Sequence, residues 1–233
     1  MHHIGIVGVS PEGAGVFYRQ LAHQIERLLP PHLHPRVTLH NEPLERYMRA
    51  LRQQDWLDVG KILQQSAEML ARCGATICVT PDNAVQHAVP LAAAKSPIPW
   101  YTMMDLVAHA VESDQRRVVG LLGTKWVTNG ASYQTILGLR GIRVMAPEPD
   151  EADTLDRIII EELLHGQIRP ESRHAVLGII RHLAQRECEA VILACSEAPL
   201  LINRENAPLP LYDAGDILAE GIVRHAASAA CAA

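Results

Sequence analysis

Short β-branched runs alternate with longer amphipathic stretches along the whole chain, and this alternation constrains the fold more than any other feature. The runs are IGIVGV (4–9), RVTLHN (36–41), ATICVT (75–80), IPWYT (98–102), RVVGLLG (117–123), IRVMAP (142–147), AVILAC (190–195) and PLYD (210–213). Between them, near-helical spacing of apolar residues predicts helices over about 14–29, 55–73, 104–113, 129–137, 151–165, 171–187 and 214–229. Strands that alternate with helices form parallel sheets with helices on both faces, the α/β class.

The order repeats. Each half opens with a strand ending in a polar tip, GVSPEG in the first and LLGTKWVTNG in the second. Each half has a later strand with another polar tip, VTPDNA and LACSEA. Parallel sheets bind ligands at the carboxyl ends of their strands. The reading is therefore two similar Rossmann-like domains, related by a pseudo-two-fold, with the four tips around a cleft between them. The last helix is expected to return to the first domain, because the second half is complete without it. The expected domains are 1–104 plus 212–233, and 105–211.

Composition excludes several functions. At 233 residues and 48% hydrophobic, the chain can bury a sizeable core. A net charge of -5 without a basic run argues against nucleic acid, and 4% aromatics leave little for base stacking. No apolar run is long enough for a bilayer, and no signal peptide opens the sequence, so a cytoplasmic location without a membrane partner is expected. The cysteines are Cys73, Cys78, Cys188, Cys195 and Cys231, an odd count without a C-x-x-C. Neither a disulfide framework nor a zinc site follows. The histidines of HHIG and HLH read as terminal or surface residues, and no metal is assigned. Glycines 5, 8 and 13 do not make the dinucleotide fingerprint, and no G-K-[ST] occurs. Lys125 alone among the lysines lies near a strand tip, which is weak ground for a Schiff base. No cofactor is expected.

Two tip residues carry chemistry. Cys195 ends a buried-looking strand, and free backbone N–H groups at such a turn stabilise a thiolate. Ser196 and Glu197 follow at once, and a glutamate there opposes ionisation unless it turns away or caps the next helix. Asp82 occupies the matching tip of the first half, where an aspartate also serves as a helix cap. Cys73, Cys78 and Cys188 sit within regular elements and Cys231 in the C-terminal tail, so Cys195 is expected to be the most reactive thiol.

IGIVGVSPEG, GATICVTPDNAVQH, VVGLLGTKWVTNGASY, AVILACSEAPLLI and LPLYDAGDILAEGIVRHA, in this order, resemble the aspartate/glutamate racemase family of cofactor-independent amino-acid racemases over essentially the full chain. The resemblance implies two similar α/β domains with the site between them, a small carboxylate or amino-acid substrate, and a homodimer. Family members place one cysteine at each of two tips, on opposite faces of the substrate Cα. Cys195 matches the second, and Asp82 stands where the first cysteine, or a threonine, would be. By the same resemblance Asn83, Ala84, Thr124, Thr128, Ser196 and Glu197 fall at substrate-binding positions. Ser10 stands near a missing methionine-glycine pair. His165 falls where several members have a carboxylate-binding lysine, and Arg46 where they meet the distal substrate group. Ala84, Gln86, Ala214 and Gly215 replace a threonine, a histidine and hydroxyl residues.

A carboxylate in place of a thiol is a weaker base by ~4.6 pKa units, or ~6 kcal/mol of proton affinity. Burial raises an aspartate by ~3–5 units and recovers most of this. The expected function is thus racemisation or epimerisation of an aspartate- or glutamate-like amino acid, with Asp82 and Cys195 as an unequal acid–base pair. Two alternatives stay open: a single-cysteine decarboxylase or isomerase of a small diacid, and a degenerate carboxylate-binding homologue.

Overall fold

The computed structural model describes residues 3–231, with side chains through Ser228. His2 of the HHIG run and the Cys231 side chain lie outside the described residues. The chain forms two compact units, residues 1–103 with 218–233 and residues 104–217.

The first unit holds a parallel sheet of β1 (His3–Gly8), β2 (Arg36–Asn41) and β3 (Ile77–Val79), in the order β2-β1-β3. Ile4, Ile6 and Val7 of the central strand are buried, as a strand covered on both faces requires. Its helices are α1 (Pro11–Leu28), α2 (Leu44–Arg52), α3 (Trp56–Arg72) and α4 (Val89–Ala93). Ser10 starts α1, its hydroxyl accepting from Gly13 N at 3.0 Å, and Pro11 supplies a first-turn φ. Asp55 caps α3 in the same way through Asp58 N at 2.9 Å.

The second unit holds α5 (Met104–Ser113), β4 (Val118–Leu122), α6 (Lys125–Thr128), α7 (Ala131–Gly138), β5 (Arg143–Met145), α8 (Pro149–Glu161), α9 (Pro170–Gln185), β6 (Ala190–Leu193) and β7 (Leu211–Asp213). Its sheet is parallel, in the order β5-β4-β6-β7. A capping box between Glu148 and Glu151 starts α8. Ile158, Ile180, Leu183 and Val191 form the centre of its core. In both sheets the first strand lies between the second and the third, so each unit repeats one βαβ-type order. The last helix, α10 (Ala214–Cys231), begins in the second unit and continues into the first.

Three expectations are corrected. Residues 98–102 make no strand: Cys78 forms an isolated parallel bridge with Trp100, held by Cys78 N to Pro99 O and Tyr101 N to Cys78 O, both 2.9 Å. Pro97 and Pro99 carry no N–H, so a ladder cannot extend there. A helix not expected as such, α2, forms over LERYMRALR, burying Tyr47, Met48, Ala50 and Leu51. The second crossing falls at 217/218 instead of 211/212, because β7 pairs with β6 before the chain leaves that unit.

Gly8 ends β1 opposite Asn41, whose amide nitrogen donates to Val9 O at 3.1 Å. A Cβ on Gly8 would lie 1.9 Å from Asn41 Oδ1. We expect Gly8→Ala to expel that amide and cost about 1–3 kcal/mol, an overpacking penalty measurable by urea denaturation. An unchanged midpoint would mean the tip yields freely.

Candidate active site

In the second unit, β6 runs out at Leu193, and Ala194 N still bonds to Leu122 O at 2.7 Å. The chain then turns through Cys195, Ser196 and Glu197 into a short 3-10 turn at Ala198–Leu200. Glu197 does not turn away. Its Oε2 accepts from the Cys195 thiol at 3.2 Å and from the Ser196 hydroxyl at 3.1 Å. Cys195 is 7% exposed and Glu197 2% exposed, so little water screens this contact. A buried carboxylate beside a thiol favours S–H over S⁻. Of the two orientations the sequence left open, Glu197 takes the one that faces the sulfur. Behind the sulfur, Leu122, Leu155, Leu193 and Ile202 line an apolar cavity of about 10 Å³, at the lower limit for a single water.

The neighbouring tip adds hydroxyls. Gly123 passes so close to Ala194 that a Cβ there would sit 2.8 Å from the Ala194 carbonyl oxygen. This brings Thr124, at the start of α6, alongside the cysteine turn. Thr128 Oγ1 donates to Thr124 O at 3.3 Å, while the buried Thr124 hydroxyl has no hydrogen-bond partner among the described residues.

In the first unit, Asp82 follows β3 and Pro81. Its Oδ1 accepts from Ala84 N at 2.9 Å, an Asx turn. Asn83 is buried, with its amide 3.4 Å from Pro81 O. Gln86, where the resemblance expects a histidine, donates from Nε2 to Thr80 O at 3.1 Å and Asp82 O at 3.0 Å. It thereby clamps the loop that presents Asp82, a role sequence reading missed. Tyr47 of α2 was also missed. Its hydroxyl is buried without a hydrogen bond of good geometry, with Ser66, Asp82, Glu42 and Arg46 as polar neighbours. Desolvation dominates there and keeps the phenol protonated.

Of two further expected ligands, Arg46 is already paired and His165 is exposed. Arg46 Nη1 lies 2.6 Å from Glu42 Oε2, and Nη2 lies 2.9 Å from Gln65 Oε1. His165 is exposed at the end of a 3-10 turn, and the loop is tied instead by Glu162. That buried carboxylate accepts from Ser172 at 2.5 Å and from Arg157 at 2.9 Å, which hold it below the usual range against its own desolvation. Ser10 remains a buried helix cap. Lys125 is paired with Asp153, and its backbone N–H donates to Asp156 at 2.8 Å. Among the described residues no cluster of three or more His, Cys, Asp or Glu is placed to hold a metal ion, and no helix is long and apolar enough to cross a membrane. A separate cavity of about 690 Å³ lies along β7, lined by Asp114, Arg204, Tyr212 and Asp213; none of the expected site residues lines it.

Two parallel sheets flanked by helices, with polar residues at the carboxyl tips of their strands, define an α/β fold. The Asp/Glu/Hydantoin racemase family model matches residues 6–222, and the chain belongs to that family. A candidate Asp/Glu racemase from Yersinia pestis has a TM-score of 0.83 at 26% identity, covering 97% of this chain and 100% of that one. An aspartate racemase homologue from Pyrococcus horikoshii gives 0.81 at 25% identity, covering 97% and 100%. The glutamate racemase of Aquifex pyrophilus shares the fold, with a TM-score of 0.65 at 16% identity over 96% of this chain and 83% of that one.

The thiol–carboxylate contact has a direct consequence for labelling. Cys73 is exposed, whereas burial raises the Cys78 and Cys188 thiols. Cys73 should therefore alkylate faster than Cys195 in the wild type, reversing the order expected from sequence. In Glu197→Gln the opposing charge is gone, and we expect Cys195 alkylation at pH 8 to rise by roughly tenfold, about 1.4 kcal/mol. Peptide mapping after limited alkylation reads both; no change at Cys195 would mean that access, not charge, limits it.

Proposed function

We propose that the chain racemises or epimerises an amino acid at Cα without a cofactor, with Asp82 as the base on one face and Cys195 as the acid on the other. The observation that supports this reading is the buried Cys195–Glu197 contact at 3.2 Å, in which the thiol donates to a carboxylate that opposes its ionisation. The Asp82 carboxylate takes the Cα proton, and the Cys195 S–H delivers another from the opposite side. The products are a protonated Asp82, a Cys195 thiolate and the inverted amino acid. Beside Glu197 that thiolate is the less favourable form, so it regains a proton readily and the pair resets. Asp82 is the weaker base of an unequal couple, and the two directions should run at different rates. The proposal includes the family's usual homodimer, which light scattering checks.

Chiral chromatography of incubations begun from each enantiomer tests the function. The reading requires both enantiomers to appear from either start, in buffer without added pyridoxal phosphate or metal. Release of CO₂ without inversion would favour a second reading, in which the thiol works alone. That reading rests on the Asp82–Ala84 Asx turn, in which the carboxylate already accepts a backbone hydrogen bond.

A further inference from the structure

The two sheets have four edge strands, and β2 differs from the other three. β3, β5 and β7 are each three residues long, and β3 is also bridged at Cys78 by Trp100. β2 runs for six residues, Arg36–Asn41, and pairs with β1 on one side only. Among the described residues no other hydrogen bond reaches its backbone. A bare edge of this length joins further strands unless something blunts it. Its margins are apolar on both faces. His40 Nδ1 meets Ser66 of α3 at 3.1 Å, so Thr38 and His40 face α3, and Val37 and Leu39 face away. Leu39 is 39% exposed on its side. On the other, Met69, one turn along α3 from Ser66, is 40% exposed.

The edge is also complementary to itself. Residues 35–43 read PRVTLHNEP. In antiparallel pairing of two such strands centred on Leu39, Leu39 meets Leu39, Thr38 meets His40 and Arg36 meets Glu42. Arg36 is exposed and makes no ion pair among the described residues. Glu42 meets Arg46 through Oε2 at 2.6 Å, which leaves Oε1 for a second cation. Pro35 falls opposite Pro43 in the same register, and prolines, having no N–H, end the ladder at both ends together. A slip by one residue would set Thr38 against Leu39, separate Arg36 from Glu42 and turn the second sheet over. A two-fold contact needs one patch that fits itself, and this strand supplies it.

Building on the homodimer of the racemase reading, we propose that two copies of the chain meet at this edge: β2 pairs antiparallel with the β2 of the second copy about a two-fold axis at Leu39, and the two sheets run on as one.

Cross-linking reads the register. Cys73 is exposed, so every variant carries Cys73→Ser, and that change alone is the blank. Under mild oxidation by oxidised glutathione, Leu39→Cys should link two copies, because directly opposite residues of antiparallel strands have neighbouring Cβ atoms. Val37→Cys should not, because it lies opposite Asn41. Light scattering reads the contact itself. The Cys73→Ser parent should be a dimer, and Leu39→Lys, which sets two ammonium groups against each other at the axis, should weaken it roughly tenfold or more. Should Leu39→Lys fail to fold, the two cysteine variants decide alone. A dimer that survives Leu39→Lys unchanged, or Val37→Cys linking as readily as Leu39→Cys, overturns this surface and leaves the racemase reading standing. A monomeric parent overturns the surface and the homodimer together, while inversion at Cα is read separately by chiral chromatography.

Discussion

Cys195→Ala should abolish inversion in both directions, lowering turnover by roughly 10²–10⁴-fold, the usual contribution of a positioned general acid or base. Alanine is smaller and apolar, and Cys195 shares an apolar cavity with Leu122 and Leu193. Cys195→Ser keeps the size and donates to Glu197 as the thiol does, yet a hydroxyl gives up its proton far less readily. It should lose nearly as much activity. Asp82→Asn is the sharper probe on the other tip. Asparagine caps as well as aspartate does, so the turn to Ala84 N at 2.9 Å survives and the fold with it. Only the charge and the basicity are removed. A fall of a similar 10²–10⁴-fold, with exchange surviving slowly from the Cys195 face alone, identifies Asp82 as a base. Asp82→Cys should restore turnover and bring the two directions closer, because a thiolate is the stronger base by ~4.6 units. Full activity in Asp82→Asn would reduce the residue to a cap.

The largest stability effect is expected at Leu183→Ala. Leu183 is fully buried on α9 and packs onto Gly120 at the centre of β4, where a Cβ would lie 2.8 Å from its Cδ1 and 2.9 Å from Val191 Cγ1. Truncation should cost about 2–5 kcal/mol, since the parallel sheet beneath cannot collapse into the space. Gly120→Ala alone should cost about 1–3 kcal/mol through overpacking. The two changes share one volume and should not add. In the Leu183→Ala background, alanine at position 120 fills part of the void, and a coupling of about 0.5–3 kcal/mol is expected. Strict additivity in a double-mutant cycle by urea denaturation would show that the two residues are not in contact.

Much of this was legible in the sequence for physical reasons. Parallel strands buried on both faces have to be apolar runs, and IGIVGV, RVVGLLG and AVILAC are such runs. Caps are local, yet the sequence reading began α1 at about residue 14, three residues inside the start that Ser10 and Pro11 set. The run at 98–102 misled because its β-branched and aromatic residues carry strand propensity, while its prolines decide the hydrogen bonding. The site was legible in its residue types and not in their orientation. Glu197 is beside Cys195 in any conformation, but only the turn geometry decides whether it faces the sulfur. The Glu42–Arg46 spacing is visible, yet Glu42 precedes the helix, so no helical face predicts the contact. Tyr47 was hidden for a different reason: an amphipathic helix buries a tyrosine as readily for packing as for its hydroxyl.

The central claim is two-base inversion, and deuterium placement tests it most directly. Wild-type protein is incubated in D₂O with a single protiated enantiomer of aspartate or glutamate, and early time points are read by chiral chromatography with mass spectrometry. Two bases on opposite faces predict that the newly formed enantiomer carries deuterium at Cα while the unconverted starting enantiomer remains protiated. Equal deuterium in both enantiomers from the first time point, or exchange without any inversion, would contradict the account.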